Sequence, residues 1–125
     1  MEHREVMYAY SSSSCTFVGM RHQPCRFRTA LCPDRCGHAT NVFTFQLDNL
    51  AVTKNEESRN AKWVEPLKVG SEHAVGEADL GEASKTVAQL LQPGDKVQLE
   101  WSHDYVTVAG SSGPDRPVSH LVKLK

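Results

Sequence analysis

Nothing in this sequence is in strong excess of one sign or one kind. Lys and Arg number 14 against 15 Asp and Glu, for a net charge of -1 and a pI near 6.6. That balance excludes the strongly basic class of domain, with a pI above about 9, whose main task is to wrap nucleic acid. No apolar run approaches the roughly 20 residues that a helix needs to cross a bilayer, so no membrane partner is expected. The apolar core of a secretory signal, roughly 7 to 15 residues, is also missing, because Met7, Tyr8, Ala9 and Tyr10 run straight into Ser11–Ser14. The expected location is therefore cytoplasmic. Thiols stay reduced there, so cysteines are expected to be free, catalytic or metal-binding rather than paired. The patterns GxGxxG, GxxxxGK[ST], HExxH and GxSxG do not occur, so no dinucleotide cofactor is expected and no familiar catalytic motif is present. Cysteine itself disappears after Cys36.

What is there suffices for one ordinary domain. At 125 residues, 39% hydrophobic and 23% charged, the chain buries roughly two-thirds of its unfolded surface and needs no disulfide to hold a core. The serine run reads as a flexible connector. Residues 1–14 are thus expected as a flexible N-terminal arm and 15–125 as a single β-rich domain.

Period-two alternation predicts strands over Thr16–Met20 and Arg26–Ala30, and most clearly over Thr40–Val52, with Phe43, Phe45 and Leu47 on one face. Asn55–Asn60 has no apolar residue and reads as a loop, after which Trp63, Val64, Leu67 and Val69 resume the core. Gly70–Gly81 is acidic, glycine-punctuated and without a period, hence a further loop. Over 82–92 the composition changes to helix formers, with Ala83, Val87, Leu90 and Leu91 on one stripe, and Pro93-Gly94-Asp95 stops it. Val97, Leu99 and Trp101, then Val106 and Val108, predict two strands meeting at His103-Asp104. A turn over Gly110–Asp115 leads to a last strand, Val118–Leu124. Short strands, turns, one short helix near 82–92 and no βαβ alternation predict a mainly β fold, either a small antiparallel β-barrel (OB-like) or a compact sandwich.

The chemistry gathers between Cys15 and His38, which hold all four cysteines with His22 and His38. Cys25-x6-Cys32-x3-Cys36-x-His38 offers three thiolates and an imidazole, a donor set suited to a structural tetrahedral zinc, with His22 as a substitute ligand. Pro33-Asp34-Arg35 is a turn that lets Cys32 and Cys36 face each other. The plainer alternatives are thiols without a joint role, since cysteine packs as a small hydrophobe, or a disulfide such as Cys25–Cys32 or Cys25–Cys36. The same stretch is basic, +3 between Arg21 and His38, whereas Trp63–Lys125 sums to -3. Arg26 and Arg28 flank Phe27 on one strand face, so Arg21, Arg26 and Arg28 are candidate partner contacts, and a solvated strand face is the plainer alternative. His103, His120 and Asp104 form a possible pocket group, each more often an ordinary surface histidine or carboxylate.

Two functions of different kinds follow as expectations. One is a zinc-stiffened binding module for a protein or a single-stranded nucleic acid. The other is a cysteine-dependent enzyme or redox protein using Cys25 or Cys36, with His22 or His38 as base.

Overall fold

The computed structural model describes residues 2–23 and 40–124. Strand β1 spans Glu2–Gln23, β2 Thr40–Leu47, β3 Ala51–Lys54 and β4 Glu72–Gly76. After helix α1, Glu82–Gln89, come β5, Lys96–Val108, β6, Ser111–Asp115, and β7, Val118–Lys123. The seven strands form one antiparallel sheet in the order β4-β2-β1-β5-β6, with β3 beside β1 and β7 beside β5.

Among the described residues the sheet is not closed into a barrel, which corrects the expected small barrel. Its path ends at β4 on one side, and the segment that leaves β4 reaches β7 through a single parallel bridge, Leu80 to Val118. One bridge does not make the hydrogen-bonded ladder that closure requires.

β1 is the spine. It pairs with β2 through Cys15–Gln23 and with β3 through Tyr8–Ser11 on one side, and with β5 through Glu2–Thr16 on the other. Register shifts at Val6/Tyr8, Ser12/Cys15 and Phe17/Gly19 each insert one extra residue into β1, and bulges of this kind bend a strand and exchange its inward and outward parity. Tyr8, Tyr10 and Ser12 accordingly point inward before the second shift, and Cys15 and Phe17 after it. The serine run is that bulge and not a connector. Ser12 Oγ donates to the Asn49 carbonyl at 2.6 Å, and Asn49 Oδ1 accepts from the Ser13 and Ser14 amides at 2.9 and 3.2 Å. Residues Glu2–Ser14, expected as a flexible arm, therefore lie in the central strand.

The alternation over Phe43, Phe45 and Leu47 is present as expected, all three being buried. The strand nevertheless ends at Leu47. Asp48 is held by Thr16 Oγ1 at 2.6 Å and by Lys96 Nζ at 3.0 Å, and Asn49 turns the chain toward β3. Over 82–92 the helix forms as expected, ending at Gln89, but its buried face is Ser84, Ala88 and the following Leu91, while Leu90 is 74% exposed. β5 runs unbroken through His103-Asp104, and the chain turns at Ala109-Gly110, both at positive φ (49° and 83°), so that Ser111–Asp115 is a strand rather than the turn. The core closes on Phe17, Phe43, Phe45, Leu47, Val97 and Leu99.

Among the described residues no helix is long and apolar enough to cross a membrane.

Candidate functional site

Cys25, Cys32, Cys36, His38, Arg26 and Arg28 lie outside the described residues. His22 is described and exposed, with Nδ1 3.1 Å from Asn41 Oδ1. Among the described residues no three His, Cys, Asp or Glu side chains gather to hold a metal ion, so the zinc site expected for this chain has no counterpart among them, and four of its five expected ligands lie outside them. Cys15, the one described cysteine, is a free thiol with no exposed surface between β2 and β5, and burial pushes its pKa up. Such a thiol packs as a hydrophobe and neither ligates nor attacks.

Arg21 is exposed at the end of β1 and lines an open groove of about 550 Å³ with Val18, Met20, Thr44, Glu72 and Ala74. The grouping of His103, His120 and Asp104 does not form. His120 faces Ser11–Ser13 and Glu100 in a separate hollow. Asp104 is buried beneath Arg4, whose guanidinium reaches it at 2.5 Å and Asp115 at 2.9 Å.

His103 instead joins residues to which the sequence assigned no functional role. It lines a cleft of about 170 Å³ with Tyr10, Val64, Glu65, Leu67, His73, Trp101 and Arg116. Tyr10 and Trp101 are cross-strand partners on β1 and β5, and their rings stack at 5.0 Å and 13°. His73 comes from β4 and stacks on Trp101 at 4.5 Å and 15°. Three rings from three strands thus make a rigid floor, an arrangement in which flat polarisable faces gain beyond their burial. The wall is tied down by tyrosines of β1: the Tyr8 hydroxyl lies 2.9 and 2.8 Å from the Ala61 and Val64 carbonyls, and the Leu67 amide donates to Tyr10 Oη at 3.2 Å.

The floor is polar where it is least accessible. His73 and Trp101 are 5% and 2% exposed, and neither His73 Nε2 nor Trp101 Nε1 has a hydrogen-bond partner among the described residues. A buried polar atom without a partner costs roughly 1 to 3 kcal/mol, so two of them on stacked rings that line one cleft are a feature that selection for stability alone removes. Burial, with Arg116 and then His103 adding to it, holds the His73 pKa down to about 4, so its imidazole is neutral near pH 7. Burial and Arg116 also lower the pKa of His103, against a weaker pull from Asp104. On the rim Arg116 and Glu65 are exposed, and Arg116 makes no hydrogen bond or ion pair among the described residues.

Sequence reasoning placed Trp101 in the core and gave His73 and Arg116 no role. The signal for His73 was present: His73 and Val75 share a strand parity within the short run Glu72–Gly76, but two residues are too few to establish a period.

The described residues form a mainly β domain with one polar, aromatic-floored cleft. No family model matches the chain, and no curated protein or solved structure is similar to it at a significant level.

Proposed function

We propose that this domain is a non-enzymatic binding module that seats a small ligand in the cleft floored by Tyr10, Trp101 and His73. The observation that carries this is a pair of buried nitrogens without a partner among the described residues, His73 Nε2 and Trp101 Nε1, on two stacked residues that both line one cavity. Recognition sites combine apolar walls with a few convergent polar groups, and here Val64, Leu67 and the rings supply the first while the two nitrogens supply the second. At about 30 Å³ per water, the volume of about 170 Å³ suits a ligand of a few non-hydrogen atoms or the end of a longer one. Among the described residues no Ser, Thr or Cys lines the cleft, and the one hydroxyl there, Tyr10 Oη, accepts from the Leu67 amide.

The Trp63→Phe variant tests this, because Trp63 is 79% exposed and its removal leaves Trp101 as the only indole. Screening small polar metabolites by Trp101 fluorescence and thermal shift is expected to give saturable binders, and His103→Ala on the rim is expected to weaken them. A screen to millimolar concentration in which no compound perturbs Trp101 sinks the reading.

A second reading keeps a macromolecular partner at the groove beside Arg21, favoured by Val18 and Met20, which are 43% and 53% exposed on a sheet face. Among the described residues no aromatic ring lines that groove and Glu72 offsets Arg21, so a protein fits it better than a single-stranded nucleic acid, whose bases stack on aromatic platforms. Polarization titrations with single-stranded RNA and DNA at two salt concentrations separate the two, since a nucleic-acid surface binds at low salt and releases as salt rises.

A further inference from the structure

We infer that the group recognised in the cleft is a small oxyanion, a carboxylate or phosphate, with Arg116 supplying the charge and Trp101 Nε1–H a hydrogen bond at the base. This rests on the reading of the cleft as a ligand site and adds the chemical class of the ligand.

Donors at the floor set the sign. An indole nitrogen only donates, so the unpartnered Trp101 Nε1 calls for an acceptor, and a neutral His73 donates from Nε2 in one tautomer or accepts there in the other. Hydrogen bonds to an ionised acceptor are roughly twice as strong as those between neutral groups, which makes an anionic oxygen the acceptor that best offsets the loss of solvent at two buried nitrogens.

The field in the cleft has the same sign. Arg116 acts on His73, His103 and Tyr10 alike, in each case disfavouring added positive charge or favouring negative charge. Glu65, the one carboxylate in the lining, acts on none of the three, and being exposed it is screened by solvent. Asp79 also feels Arg116, and its own pKa is raised by burial and by Asp115. It is not part of the lining. The guanidinium, free of ion pairs among the described residues, thus has its donors open to a ligand, and its planar fork matches a carboxylate or a phosphate two bonds at a time.

Two-dimensional NMR of the labelled full chain tests the inference, with Trp63 as an exposed internal control. Sodium acetate, inorganic phosphate and the neutral isostere acetamide are titrated separately at ionic strength held constant with chloride. Acetate or phosphate is expected to move the Trp101 indole N–H and the His73 ring signals saturably while Trp63 stays still, and the tighter of the two assigns the headgroup. Arg116→Gln, at an exposed position, is expected to weaken this binding about tenfold with the amide spectrum otherwise retained. Shifts with acetamide as strong as with acetate, unaffected by Arg116→Gln, overturn the oxyanion and leave a neutral-ligand cleft standing. No saturable movement of Trp101 with either anion also overturns it, and the metabolite screen then decides the cleft reading separately.

Discussion

His73 of β4 lies on Trp101 of β5, and that position makes its charge state a term in stability. Its pKa is about 4 in the folded chain against an ordinary 6.5. For a histidine whose folded pKa is depressed, the unfolded chain takes up the proton first, so stability is lost as pH falls from about 6.5 and the loss levels off below the folded value. The shift corresponds to roughly 3 kcal/mol. Urea denaturation at pH 7, 5.5 and 4 is expected to show the native chain losing about that much more than His73→Phe, a variant that keeps the ring and lacks the titration. Equal acid sensitivity of the two proteins contradicts the buried, neutral imidazole. Arg4 is the second residue with a large stake. It covers Asp104, which is 1% exposed. Removing one partner of a fully buried pair costs roughly 3 to 5 kcal/mol, and here, with the Arg4 side chain 34% exposed, solvent screening reduces that cost. Arg4→Met is expected to lose much of that near neutral pH, read as a lowered urea midpoint, and Arg4→Met with Asp104→Asn to recover part of it.

At the scale of elements, what the sequence made legible and what it hid divide along one physical line. Periods were read correctly where a single parity persists, as in Phe43, Phe45 and Leu47 of β2 and Val97, Leu99 and Trp101 of β5. They were misread where a bulge exchanges parity. Val118, Val122 and Leu124 share a parity in sequence, yet the register shift at Glu100/Trp101 places Val118 and Leu121 inward and leaves Val122 40% exposed. β1 carries more such shifts than any other strand, so its serines read as a connector. Ser11 and Ser12 pair with Glu100 and Leu99 of β5, and the bonds that hold the bulge at Ser12–Ser14 come from Asn49, 35 to 37 residues away, so no local pattern encodes this strand. The candidate site was hidden for the same reason: its residues stand on β1, β4, β5 and the segments before β4 and β7, and only the tertiary fold brings them together. Asn49→Ala tests the bulge. It removes the acceptor for the Ser13 and Ser14 amides, which are exposed enough for water to replace part of the loss. The expected cost is about 1 kcal/mol, seen as a lower urea midpoint at unchanged slope. A changed slope instead points to an altered denatured or native compactness.

Across the whole molecule, the pairing of β1 with β2, β3 and β5 makes a local opening near its middle hard to separate from loss of the fold. Cys15 is placed to report this, being opposite Leu47 on one side and Val97 on the other with no exposed surface. A thiol so placed reacts only through an opened state, and when reclosing is fast its modification rate follows the equilibrium population of that state. With Cys25, Cys32 and Cys36 replaced by serine, alkylation of Cys15 is expected to be slow in buffer and to rise with urea along the unfolding curve given by Trp101 fluorescence in a Trp63→Phe background. Both probes then report one free energy, as a cooperative domain of this size requires. Because most of the chain's long-range order depends on β1, a thiol that reacts well before Trp101 is exposed would divide the sheet into a separable β2 side and β5 side. The cleft, built from Tyr10, His73 and Trp101 on three different strands, would then lose its floor at the first of the two transitions.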